Sequence, residues 1–149
     1  MKVLTIQDET LVISERVWPV RSKCNYTHAL PAYHRLFDDY NRKKGTEYDA
    51  FFWAFSNLRT SNLTDAIKRA CEMCGKKQGK VYILEVPDEL CLETDFYNFS
   101  DEIYAMQYPN EINSLWDSIY EKRDAERQVI IPYIDEHWVL LELVLKIED

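Results

Sequence analysis

The sequence predicts an α+β fold, and three observations carry that expectation. Apolar strand-like runs stand at both ends, amphipathic helical patterns lie between them, and no repeat, low-complexity run or Gly/Pro-rich linker divides the 149 residues. A chain of that length with 46% hydrophobic and 13% aromatic residues can bury about two thirds of its unfolded surface, enough for one core. A single domain over 1–149 is expected.

KVLTIQ (2–7) alternates as a first strand does, and QDETLVISERVW (7–18) carries Leu11, Val12 and Val17 at spacings that suit a short helix. In HALPAYHRLFDDYNRKK (28–44), Pro31 falls in a first turn and Ala32, Leu36, Phe37 and Tyr40 share one stripe, giving a helix that Gly45 ends. YDAFFWAF (48–55) has no charge after Asp49 and reads as a buried strand. SNLTDAIKRACEMCG (61–75) is a helix with Asn62 as cap, Asp65 in its first turn and Gly75 as terminator. KVYILEVP (80–87) is the strongest strand signal and ends at Pro87. After ELCLETDF come two helical patterns, 99–108 capped by Ser100 and 110–124 capped by Asn110. The chain closes on strands in QVIIPYI (128–134) and HWVLLELVLKIE (137–148), with Asp135 and Glu136 predicted to form the hairpin turn between them.

Composition narrows the function classes. No run approaches the roughly 18 apolar residues of a membrane span, and the charges of MKVLTIQDET do not suit a signal peptide, so a cytoplasmic protein is expected. Cys24, Cys71, Cys74 and Cys91 are unevenly placed in a chain that does not need staples, which predicts reduced thiols. The net charge of -8 disfavours phosphate backbones.

Two short motifs are weaker than they look. CEMC (71–74) lacks a second ligand pair for zinc and lies on the apolar stripe of its helix, so Cys71 and Cys74 are expected to be buried, reduced and metal-free. GKKQGK (75–80) has three residues between its glycines and precedes a strand, whereas a phosphate loop has four and precedes a helix. A solvated helix-to-strand turn is the expectation. His28, His34 and His137 have no recognisable nucleophile context, and His137 reads as a turn residue. Tyr48, Trp53, Tyr97, Trp116 and Tyr133 lie near element ends, where rings can stack on a flat ligand or simply fill the core.

LTIQ, YDAFFWAF, YILEVPDELCLETDF, LWDSIY and RQVIIPYIDEHWVL, in that order, resemble the pattern of an uncharacterised bacterial and phage family of unknown function. That pattern runs Trp-Thr-Ile-Gln … Trp … Leu-Glu-x-Pro-Asp … Ser-Asp-Phe … Trp-x-x-Ile-Phe … Gln-Ala-Thr, and the chain departs from it at Leu4, Thr94, Val129 and Ile130.

More distantly, ERQVIIPYIDEHWVL resembles the last motif of ADP-ribosyltransferases, in which Glu/Gln-x-Glu begins a strand. The resemblance implies a split β core with helices outside, and NAD held as substrate in a cleft between two small sheets of an intracellular effector or toxin-type enzyme. Glu126 matches the position that orients the acceptor, and Gln128 stands where the catalytic Glu belongs. An amide can hydrogen-bond the ribose but brings no negative charge to the sugar cation, so Asp95 or Glu136 would have to supply it. By the same resemblance Thr5 and Gln7 stand where an Arg or His holds the dinucleotide, and Trp53 with Ser56 forms the second motif. Thr5, Gln7, Trp53 and Gln128 should then converge on one concave surface with Glu126 at its rim.

Three other readings stand beside the NAD enzyme. One is a catalytically silent relative acting as a protein-interaction module. Another is a nucleic-acid-directed enzyme, if Lys43, Lys44, Lys76, Lys77 and Lys80 converge. The last takes Glu126 and Gln128 as a solvent-exposed strand start.

Overall fold

The structure, a computed structural model, describes residues 1–20, 29–110 and 114–146. It is α+β. Strands β1 (Lys2–Gln7), β3 (Phe52–Ser56), β4 (Gln78–Glu85), β5 (Leu92–Asp95), β6 (Arg127–Ile131) and β8 (Val139–Lys146) form one sheet, and β2 (Arg16–Val17) with β7 (Ile134–Asp135) forms a short separate ribbon. The six-stranded sheet runs β5-β6-β3-β1-β4-β8, with every neighbouring pair antiparallel. All five strands expected from the sequence lie in this sheet.

Helices α1 (Leu30–Lys44), α2 (Leu63–Cys74) and α3 (Phe96–Gln107) pack on one face. There Leu36 and Tyr40 of α1, Phe99 of α3 and Trp116 meet Phe51 and Ile130, while Ala70 and Cys71 of α2 meet Leu4, Ile6, Phe55 and Val81. On the other face Val3, Ala54, Tyr82, Leu84, Val129 and Ile131 are covered by Leu11, Ile13, Val17, Ile134 and Trp138. Because both faces are covered, the central strands are buried on both sides, and Val3, Leu4, Thr5 and Ile6 of β1 are buried in succession.

The helix ends follow the sequence signals. Gly45 and Gly75 close α1 and α2 in the left-handed conformation, and the Asn62 side chain accepts from Asp65 N at the start of α2. Four expectations need correction. Residues 8–15 form no helix, because the Asp8 carboxylate accepts from both Thr10 N and Thr10 Oγ1 and turns the chain across the sheet. Helix α3 begins earlier than 99 and is capped by Asp95, while Ser100 Oγ donates to Phe96 O within the helix.

In 110–124, of which residues 111–113 lie outside the described residues, the helical element among the described residues is a 3-10 turn at Trp116–Tyr120. Finally, Asp135 and Glu136 do not join a hairpin: β6 and β8 are separated in the sheet by β3, β1 and β4. Asp135 instead caps a 3-10 turn by accepting from His137 N, and β7 pairs with β2. His137 does sit in that turn, as expected.

Asp39, buried on α1, fastens the helix layer. Its carboxylate accepts from Trp116 Nε1 at 2.7 Å, Tyr120 Oη at 2.5 Å and Arg42 Nη2 at 3.1 Å. Asp39→Ala strands the indole N–H and should cost about 2 kcal/mol. The check is urea unfolding, with a lower midpoint and an unchanged slope expected.

Candidate functional site

Glu126 is buried, not the exposed strand start that one reading of the sequence offered. It stands immediately before β6, where its backbone O accepts from Phe96 N and ties the strand to α3. Arg69 of α2 grips its carboxylate with a two-pronged fork, Nε to Oε1 at 2.9 Å and Nη2 to Oε2 at 2.7 Å. Tyr97 of α3 donates its hydroxyl to Oε2 at 2.9 Å and accepts from Arg69 Nη2 at 2.8 Å. The hydrogen bonds from Arg69 hold the Glu126 carboxyl below the usual range, against the opposing effect of burial. Its partner Arg69 is pushed up, first by the same bonds. Glu126 is thus a charged fastener between the sheet, α2 and α3.

Gln128 is also buried, two residues along β6 and on the same, helix-facing side as Glu126. Its cross-strand neighbours are Phe55 in β3 and Thr94 in β5. Gln128 Nε2 and Thr94 Oγ1 are both buried without a hydrogen-bond partner among the described residues.

Trp53 lies on the helix side with Phe37 and Phe99, so it shares a face with Gln128. Thr5 and Gln7 do not: they alternate with Leu4 and Ile6, and so point to the opposite face, that of Val3. Thr5 is fully buried, donating to Trp53 O at 2.5 Å and accepting from Gln7 Nε2 at 2.7 Å. The expected convergence of Thr5, Gln7, Trp53 and Gln128 is therefore split by the sheet itself.

Ser56 and Asp95 take part in a polar group built around β5 and β6. Ser56 Oγ donates to Glu93 Oε2, and Arg127 Nε stands 3.0 Å from Glu93 Oε1 as an ion pair without hydrogen-bond alignment. Asp95, fully buried, accepts from Asn98 N at 2.9 Å and from both Nε and Nη2 of Arg123. Burial acts to raise the Asp95 carboxyl, but Arg123 and the backbone N–H of Asn98 and Tyr97 together hold it below the usual range. Glu136 sits exposed in the turn before β8.

Sequence reasoning missed Arg69, Glu93, Arg123 and Arg127. Their signal was weak, since each binds a residue distant in sequence and none belongs to a spaced motif. The lysine patch is divided. Lys43 lies over the Tyr120 ring and Lys44 near that of Tyr40, while Lys76 and Lys80 donate to the carbonyls of Ile6 and Leu11.

An open groove of about 450 Å³ is lined by Asn98, Asp101, Glu102, Tyr104, Leu115 and Glu121. Its three carboxylates do not suit a dinucleotide phosphate, and none of Thr5, Gln7, Trp53, Ser56, Asp95, Glu126 and Gln128 lines it.

Cys71 and Cys91 are buried free thiols, whereas Cys74 is only partly buried. Cys24 and His28 lie outside the described residues. Burial raises all three described thiols, Cys91 to about 11. At pH 8, residue-resolved mass spectrometry should find Cys74 alkylated before Cys71 and Cys91. Equal rates for the three would contradict this burial.

The chain matches no family model, no curated protein and no solved structure. Among the described residues no helix is long and apolar enough to cross a membrane, and no cluster of three His, Cys, Asp or Glu side chains is placed to hold a metal.

Proposed function

We propose that this chain works as a protein-interaction module, the catalytically silent alternative to an NAD-cleaving enzyme. The observation that carries this reading is the contrast between the candidate site and strand β8. Glu126, Asp95, Ser56 and Thr5 are bonded to neighbouring residues, whereas among the described residues β8 is an eight-residue edge strand with Leu140 56% and Val144 81% exposed. An edge of that kind offers unpaired backbone groups and apolar side chains to a partner strand.

A second reading keeps the ADP-ribosyltransferase-like split core, with its cleft under α3 on the helix-facing side of the large sheet. It is favoured by the two buried polar atoms without partners, Gln128 Nε2 and Thr94 Oγ1. A nucleotide reaching them would satisfy both. In that case Gln128 holds the ribose and Glu126 orients an acceptor after releasing Arg69.

Calorimetric titration with NAD, followed by assay for free nicotinamide, separates the readings. The interaction module gives neither binding heat nor nicotinamide. Binding with release supports the enzyme and overturns the module. Under the module reading Gln128→Glu buries an unpaired carboxylate beside Phe55, which lowers stability and leaves NAD intact.

A further inference from the structure

We infer that the partner of the β8 edge is a second copy of this chain, joined by antiparallel β8–β8 pairing about a two-fold axis at Val144. This rests on the interaction-module reading and names its partner. Along β8 the residues opposite Lys80, Tyr82 and Gln78 of β4 are Val144, Glu142 and Lys146, so these three share one face. All three are exposed. Leu143 and Leu145 lie on the helix-facing side, with Leu145 packed against the α2 cluster and Leu143 38% exposed.

The sequence of the strand is complementary to itself in one register. In an antiparallel pair centred on Val144, each residue meets the one equally far beyond the centre in the other copy. Val144 meets Val144, Leu143 meets Leu145, and Glu142 meets Lys146 twice over. Apolar pairs therefore fill the centre and two opposite-charge pairs flank it, the arrangement that stabilises cross-strand neighbours. Centring the pair on Glu142 instead would oppose two like charges. Centring it on Leu143 would place Glu142 against Val144 and Leu140 against Lys146. Of these three registers, the Val144 one alone sets opposite charges against each other and apolar residues at the centre across Glu142–Lys146.

That choice also keeps both sets of helices on the same face of a continuous sheet and leaves the β2–β7 side uninterrupted. Both copies carry a net charge of -8, so the two Glu142–Lys146 pairs supply specific attraction where the average field repels.

Sedimentation equilibrium of the intact chain across the micromolar range tests the proposal. The wild type should form a dimer. Glu142→Lys and Lys146→Glu should each raise the dissociation constant roughly tenfold or more, because each replaces two attractive pairs by two repulsive ones. Mixing the two variants should restore dimers, since every cross-strand charge pair is then opposite again.

Lys146→Glu leaves the bond from Tyr82 Oη to Glu142 in place, and far-UV circular dichroism checks that each variant is folded. A dimer unmoved by either reversal, or no recovery on mixing, overturns the register. A wild type that stays monomeric and releases no nicotinamide from NAD overturns self-pairing while leaving the interaction reading intact. Nicotinamide release overturns that reading whatever the oligomeric state.

Discussion

Arg69→Ala should destabilise the protein by about 3 kcal/mol, because it leaves the Glu126 carboxylate buried and without its cation. Tyr97 still donates one bond and Arg69 is itself partly solvated, which places the expected loss at the low end for a broken buried pair. The pH dependence gives a second check. Glu126 is held below its ordinary value in the fold, so its contribution is fully present above the unfolded carboxyl range and is lost as pH falls through the folded value. Without Arg69, burial favours the protonated acid, and stability contributed by Glu126 then increases on acidification.

The difference between wild type and Arg69→Ala should therefore be largest near neutral pH and shrink below about pH 4.5. Chemical unfolding at several pH values measures it. A constant difference would mean that the Arg69–Glu126 ion pair is not what the substitution removes.

Gly79→Ala should cost on the order of 3 kcal/mol or more, combining a disfavoured backbone conformation with overpacking in a central sheet. Gly79 has φ +143°, and a Cβ there would stand 2.2 Å from Gln7 O on the neighbouring strand. A backbone oxygen held in the sheet cannot turn aside as a flexible side chain can. The strands β1 and β4 would have to separate at the end where they hold Lys76 and the start of the 8–15 crossing. Calorimetric melting should show a drop in Tm of several degrees. An unchanged Tm would mean the β1–β4 spacing is looser than described. In sequence the same glycine read only as part of a turn.

What could be read from the sequence was whatever has a local cause. The stop at Gly45, the cap at Asn62 and the runs that became β1, β3, β4, β6 and β8 depend on neighbours within a few residues or on burial from both sides. Strand β5 was not legible: LETD carries two carboxylates and a threonine, and it is a strand because Arg127 and Arg123 neutralise Glu93 and Asp95 from elsewhere in the chain. The order of strands was equally hidden. QVIIPYI and HWVLLELVL look like a hairpin, yet the first pairs with β3 and β5 and the second with β4.

At the candidate site, the spacing of Glu126 and Gln128 correctly places both on one face of the strand. That their face is buried depends on Arg69, 57 residues away. The separation of Thr5 and Gln7 from Gln128 follows from the phase of β1 against β3, which the Leu4–Phe55 pairing sets and no local pattern announces.

Hydrogen–deuterium exchange at low and high protein concentration, with and without NAD, separates self-pairing through β8 from nucleotide binding at Gln128. Amides in Val139–Lys146 should become protected as concentration rises, and NAD should change nothing at Trp53, Thr94 or Glu126–Gln128. Protection of those residues by NAD, with β8 exchanging alike at every concentration, would contradict both.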